Sequence, residues 1–98
     1  MRSDLDAVEE SEDLKFEVFP NPARKEITSR FVLAAPALAR LSLYDISGHF
    51  IQDLYRSGTL DAGTHQVTCT LENMQVGYYH VVLRVNKNVV RKLIHIVL

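Results

Sequence analysis

Tryptophan is missing from the 98 residues, and cysteine occurs once, at Cys69. A lone cysteine excludes an internal disulfide, so nothing covalent staples the fold. At this length a core by itself supplies roughly 3–5 kcal/mol of stability. The closely spaced Cys or His pairs of a structural zinc site are also lacking, although His49, His65, His80 and His95 are present. His80 and His95 could approach one another across a final hairpin, but two imidazoles without a carboxylate or thiolate make a poor metal site. There is no glycine-rich phosphate loop and no pair of catalytic carboxylates. Asp45, Ser47 and His49 crowd one turn, where a base cannot bridge nucleophile and acid, so they read as a polar turn rather than a triad. No apolar run approaches the roughly 20 residues of a membrane helix. The opening residues lack the hydrophobic segment of an export signal. These absences describe a non-enzymatic chain without cofactor or metal.

What is present is unevenly distributed. The net charge is −1, yet residues 1–14 set six acids against Arg2, for −5, which leaves +4 on residues 15–98. An acidic opening without glycine or aromatics cannot bury enough apolar surface to offset its ordering entropy. Residues 1–14 therefore read as a flexible acidic linker from something upstream, with a helix over Asp4–Leu14 as the rival reading. Residues 15–98 read as one domain.

Within that domain, Pro20 and Pro22 exclude a helix early on, and Asn21 before Pro22 is pushed out of the α region. A strand over Lys15–Phe19 is expected to end there. Ile27, Phe31 and Leu33 alternate with polar residues over Glu26–Leu33, with Ser29 as a fault on the apolar side. Ala39, Leu41 and Leu43 alternate inward over Leu38–Asp45, and Asp45-Ile46-Ser47-Gly48 turns the chain. His49–Tyr55 is expected to return as a strand, followed by a polar loop over Arg56–Thr64. Val67, Cys69 and Leu71 alternate inward over His65–Leu71, which buries the thiol. Glu72–Gly77 connects to Tyr78–Val85, where Tyr79, Val81, Leu83 and Val85 share a face. Asn86-Lys87 makes a tight turn into a last strand over Asn88–Leu98, whose inward parity the pattern leaves open. Seven short strands with regular turn signals predict an all-β sandwich or barrel.

Five landmarks stand in order along this framework: Pro20-Asn21-Pro22-Ala23, Leu41-Ser42-Leu43-Tyr44-Asp45-Ile46-Ser47-Gly48, Leu60-Asp61-Ala62-Gly63-Thr64-His65, Met74-Gln75-Val76-Gly77-Tyr78-Tyr79, and the ending Arg91-Lys92-Leu93-Ile94-His95-Ile96-Val97-Leu98. Their order and spacing resemble the C-terminal sorting domain of cargo of the type IX (Por) secretion system of Gram-negative bacteria. The resemblance spans about Phe16 to Leu98. It implies an immunoglobulin-like antiparallel β-sandwich and a secretion signal that is itself folded. It further implies a cargo carried through the periplasm, recognition by the outer-membrane translocon, removal by a sortase-like peptidase in the linker, and attachment of the cargo at the cell surface. The motif positions it transfers are Pro20, Asn21, Pro22, Gly77, Tyr79, Arg91, Lys92 and Leu93. The chain departs from the family in carrying His49 after the Tyr-Asp-x-x-Gly turn and in ending on Val97-Leu98.

Arg84, Lys87, Arg91 and Lys92 gather near the last hairpin. Nucleic-acid binding would favour a larger basic face with stacking aromatics. Solubility and protection of an edge strand account for the charges more simply, and the resemblance adds recognition by the secretion machinery. Two other readings of the whole remain: an immunoglobulin-like adhesion or glycan-binding module, and a structural spacer of a larger surface protein.

Overall fold

The computed structural model describes residues 14–98. The linker expected over residues 1–14 lies outside them except for Leu14, which packs partly buried against the core. Seven strands follow: β1 (Phe16–Phe19), β2 (Glu26–Leu33), β3 (Ala37–Asp45), β4 (Phe50–Leu60), β5 (Gly63–Thr70), β6 (Gly77–Val85) and β7 (Asn88–Ile96). They form a three-stranded sheet in the order β1-β2-β5 and a four-stranded sheet in the order β4-β3-β6-β7, all strand pairs antiparallel. The expected immunoglobulin-like sandwich is the observed architecture.

Alternation decides what lies between the sheets. From β2 come Ile27, Phe31 and Leu33, from β3 Ala39, Leu41 and Leu43, and from β6 Val81, Leu83 and Val85, all buried. Burial of each large side chain here contributes roughly 1.5–3 kcal/mol. Ser29 shares the inward face of β2, is fully buried, and its hydroxyl has no partner among the described residues. Cys69 is buried as its parity with Val67 and Leu71 requires, and desolvation pushes its thiol pKa up.

The four-stranded sheet has a second, smaller cluster on its outer face. Tyr44, Val82 and Val89 pack together there, which is why β3 and β6 bury residues on both faces.

The turn reading of Asp45-Ile46-Ser47-Gly48 is met in detail. Asp45 Oδ1 accepts from the backbone N–H of Ser47 and of His49, each at 2.9 Å, and Gly48 takes φ of 87°. These bonds, that from His49 foremost, hold the Asp45 carboxyl below its usual range. The carboxylate is engaged by the backbone of its own turn.

One expectation fails. Arg56–Thr64 is not a loop, because β4 continues to Leu60 and β5 begins at Gly63. The pairing of β4 with β3 survives past Gly58 through register shifts, with Leu38 opposite Thr59 and Ala37 opposite Leu60. At the shift beside Ala39 the Ser57 hydroxyl accepts from Ala39 N–H at 2.8 Å and donates to Ala39 C=O at 3.2 Å. A side chain thus stands in for the missing ladder partner. Polar and glycine content that reads as a loop marks bulges instead.

Candidate functional site

The last strand is where distant parts of the sequence meet. In β7 the register with β6 sets Gly77 opposite Ile96, Tyr79 opposite Ile94, Val81 opposite Lys92 and Leu83 opposite Val90. This resolves the parity left open by the pattern: Val90, Ile94 and Ile96 enter the core. Arg91, Leu93 and His95 share the outer face, opposite Val82, His80 and Tyr78. His95 stacks on Tyr78 with ring centroids 4.3 Å apart.

β7 is an edge strand, and an unpaired edge is a template for unwanted pairing. Its C-terminal half is closed by the Pro20-Asn21-Pro22-Ala23 segment. Asn21 Oδ1 accepts from the backbone N–H of His95 at 2.9 Å, and Asn21 Nδ2 donates a longer bond of 3.4 Å to Leu93 C=O. Two residues on, Ala23 N–H donates to His95 C=O and Val97 N–H donates to Ala23 C=O, both at 2.8 Å. Ala23 thereby forms a parallel bridge with Ile96. The carboxamide of Asn21 imitates a peptide group, and together with Ala23 it reproduces a short parallel ladder along residues 93–97 of the edge. Ala23 is fully buried, whereas Pro20, Asn21 and Pro22 stay exposed. A proline on either side limits the conformations of Asn21 before docking, which reduces the entropy lost in forming the clasp.

Gly77 and Tyr79 hold the other side of the same strand. Gly77 opens β6 at φ of 156°. The Tyr79 ring packs against the core and its hydroxyl donates to Gln75 C=O at 2.8 Å, tying the incoming connection to the strand. The expected positions Pro20, Asn21, Pro22, Gly77, Tyr79 and Leu93 thus meet around the C-terminal half of β7.

Arg91 and Lys92 precede that region and are both exposed. Lys92 has the parity of core residues yet lies exposed. An inward-pointing charge of this kind is a recognised guard of edge strands. The basic pair and the clasp leave a continuous ribbon whose lower half is cationic and whose upper half is sealed.

Sequence reading missed Ala23, His95 and Val97. Their part is played by backbone groups, so residue type carried no signal for it. The residues alone marked Asn21 only as part of the segment that ends the first strand, whereas its side chain is the first rung of the clasp.

Among curated proteins none matches the chain. Residues 17–96 match the family described as the secretion system C-terminal sorting domain. That match takes in the Pro20–Ala23 segment, the Gly77–Tyr79 stretch and β7 together, and the chain belongs to the C-terminal sorting domains of the type IX secretion system.

Proposed function

We propose that this domain carries an upstream cargo from the periplasm across the outer membrane by presenting the clasped β7 ribbon to the type IX translocon. Membership of the sorting-domain family supports this reading, and the observation that carries it is the convergence of Asn21, Ala23, Gly77 and Tyr79 on one strand. A signal held by contacts more than 70 residues apart in sequence exists only in the folded domain. Arg91, Lys92 and Leu93 are the side chains offered to the translocon. The cargo reaches the periplasm by a separate signal, a sortase-like peptidase cuts within residues 1–15, and the cargo remains at the surface or is released. The domain itself performs no chemistry.

The test fuses residues 1–98 behind a reporter with its own inner-membrane export signal. Expression in a bacterium possessing the type IX system should place the reporter at the surface or in the medium, whereas a strain without the translocon should retain it in the periplasm. Mass spectrometry of the exported reporter should find its new end within residues 1–15. Periplasmic retention in both strains would replace this reading with the adhesion or spacer module.

A further inference from the structure

The outer face of the four-stranded sheet holds an arrangement that the secretion reading does not use. β-Sheet register places Arg56, Arg40 and Arg84 side by side on β4, β3 and β6, with Arg40 directly opposite both neighbours. Like charges opposite one another across strands destabilise a sheet, so a row of three guanidiniums calls for compensation. The described residues supply one carboxylate. Asp53 accepts from Arg40 Nε at 2.7 Å and from the Ser42 hydroxyl at 2.8 Å. Arg84 instead donates to the Tyr44 hydroxyl at 3.1 Å, a neutral acceptor. Neither Arg56 nor Arg84 forms an ion pair among the described residues. Two positive charges are left over.

All three arginines line one open cavity of about 260 Å³, together with Leu38, Ala39, Ser57 and Asn86. The wall beneath is stiff. Arg84 is tied to Tyr44, which belongs to the buried outer cluster with Val82 and Val89, and Arg40 is fixed at Nε by Asp53, leaving its terminal N–H groups. Guanidiniums held by their supports lose less freedom on capturing a ligand, and their forked donors suit oxyanions.

We propose that Arg40, Arg56 and Arg84 form a binding site for a phosphate-type tetrahedral oxyanion. Such a group offers several acceptor oxygens and up to two negative charges, which matches three donors and the uncompensated charge. A carboxylate brings one charge and two oxygens and leaves the row half satisfied. The site lies away from the clasp, and the proposal does not rest on the secretion reading.

Inorganic phosphate, titrated into the full chain at constant ionic strength and followed by NMR, is the direct probe. Saturable shifts are expected at the Nε–H signals of Arg40, Arg56 and Arg84, with none when chloride replaces phosphate. Arg56→Gln and Arg84→Gln should each weaken phosphate binding about tenfold, the scale of one charge-assisted contact, whereas Arg24→Gln on another surface should not. Arg84→Gln removes a bond to Tyr44, so Arg56→Gln, at an exposed position, carries the test if the former unfolds. Sedimentation with phosphatidylcholine vesicles, with and without phosphatidic acid, identifies the source. Co-sedimentation that needs phosphatidic acid and is lost in Arg56→Gln assigns a lipid headgroup; phosphate binding without vesicle binding assigns a soluble ester. A response to phosphate no greater than to chloride, or one unchanged in Arg56→Gln, would overturn the site.

Discussion

Ser29 and Asn21 show how far one side chain's surroundings depart from what its type suggests. Ser29 is a polar residue buried at the centre of β2 with no hydrogen-bond partner among the described residues. An unsatisfied buried hydroxyl costs about 1–3 kcal/mol, and replacing it with a methyl group removes that cost while creating little empty space. Ser29→Ala is therefore expected to leave the melting temperature unchanged or raise it, and a clear drop on thermal denaturation would show that the hydroxyl is satisfied. Asn21 is the opposite case, an exposed residue with two long-range bonds. Asn21→Ala should cost about 1 kcal/mol, the net worth of a typical hydrogen bond. Hydrogen exchange separates this from general loosening. The His95 amide, bonded to Asn21 Oδ1, should exchange faster, while the Val97 amide, bonded to Ala23 C=O, should be far less affected.

At the scale of elements, the alternating strands were legible and the bulged one was not. β2 was read to its ends because its inward residues hold one parity for its whole length. The outer cluster was partly hidden, since Tyr44 and Val82 occupy the face that alternation assigns to solvent. In β4 the register shifts break the period of two, so the pattern dissolves where the pairing continues. Asp53 is the electrostatic centre of that irregular region, and the hydrogen bond from Arg40 lowers its pKa. A carboxyl depressed by folding contributes stability that is present above its unfolded pKa and lost as pH falls through the folded one. Denaturant titrations should therefore show stability declining below about pH 4, the ordinary carboxylate range. Asp53→Asn should flatten part of that decline, and the depressed Asp45 contributes to the remainder. The same slope in Asp53→Asn as in the parent would mean that the Arg40 pairing is inconsequential in solution.

For the whole molecule, the order of landmarks along the chain conveyed the architecture, but their meeting in space was not legible. Pro20-Asn21-Pro22 reads as a turn because proline chemistry is local, whereas its partners are backbone groups more than 70 positions away. Which face of β7 enters the core was likewise undecidable until the register with β6 was known, because a shift of one residue exchanges Arg91 with Lys92. Both members of that pair are exposed. This makes them suited to separating the signal from the fold. Surface substitutions usually change stability by no more than about 0.5 kcal/mol, while reversing a charge on the proposed recognition ribbon should repel the surface it is proposed to attract. The decisive measurement is the location of a periplasmic reporter fused to the domain carrying Arg91→Glu or Lys92→Glu, set beside the melting temperature of each isolated domain. The expected result is a variant that melts like the parent yet leaves its reporter in the periplasm; two variants that melt like the parent and are exported like it would contradict recognition through the clasped terminal strand's basic pair.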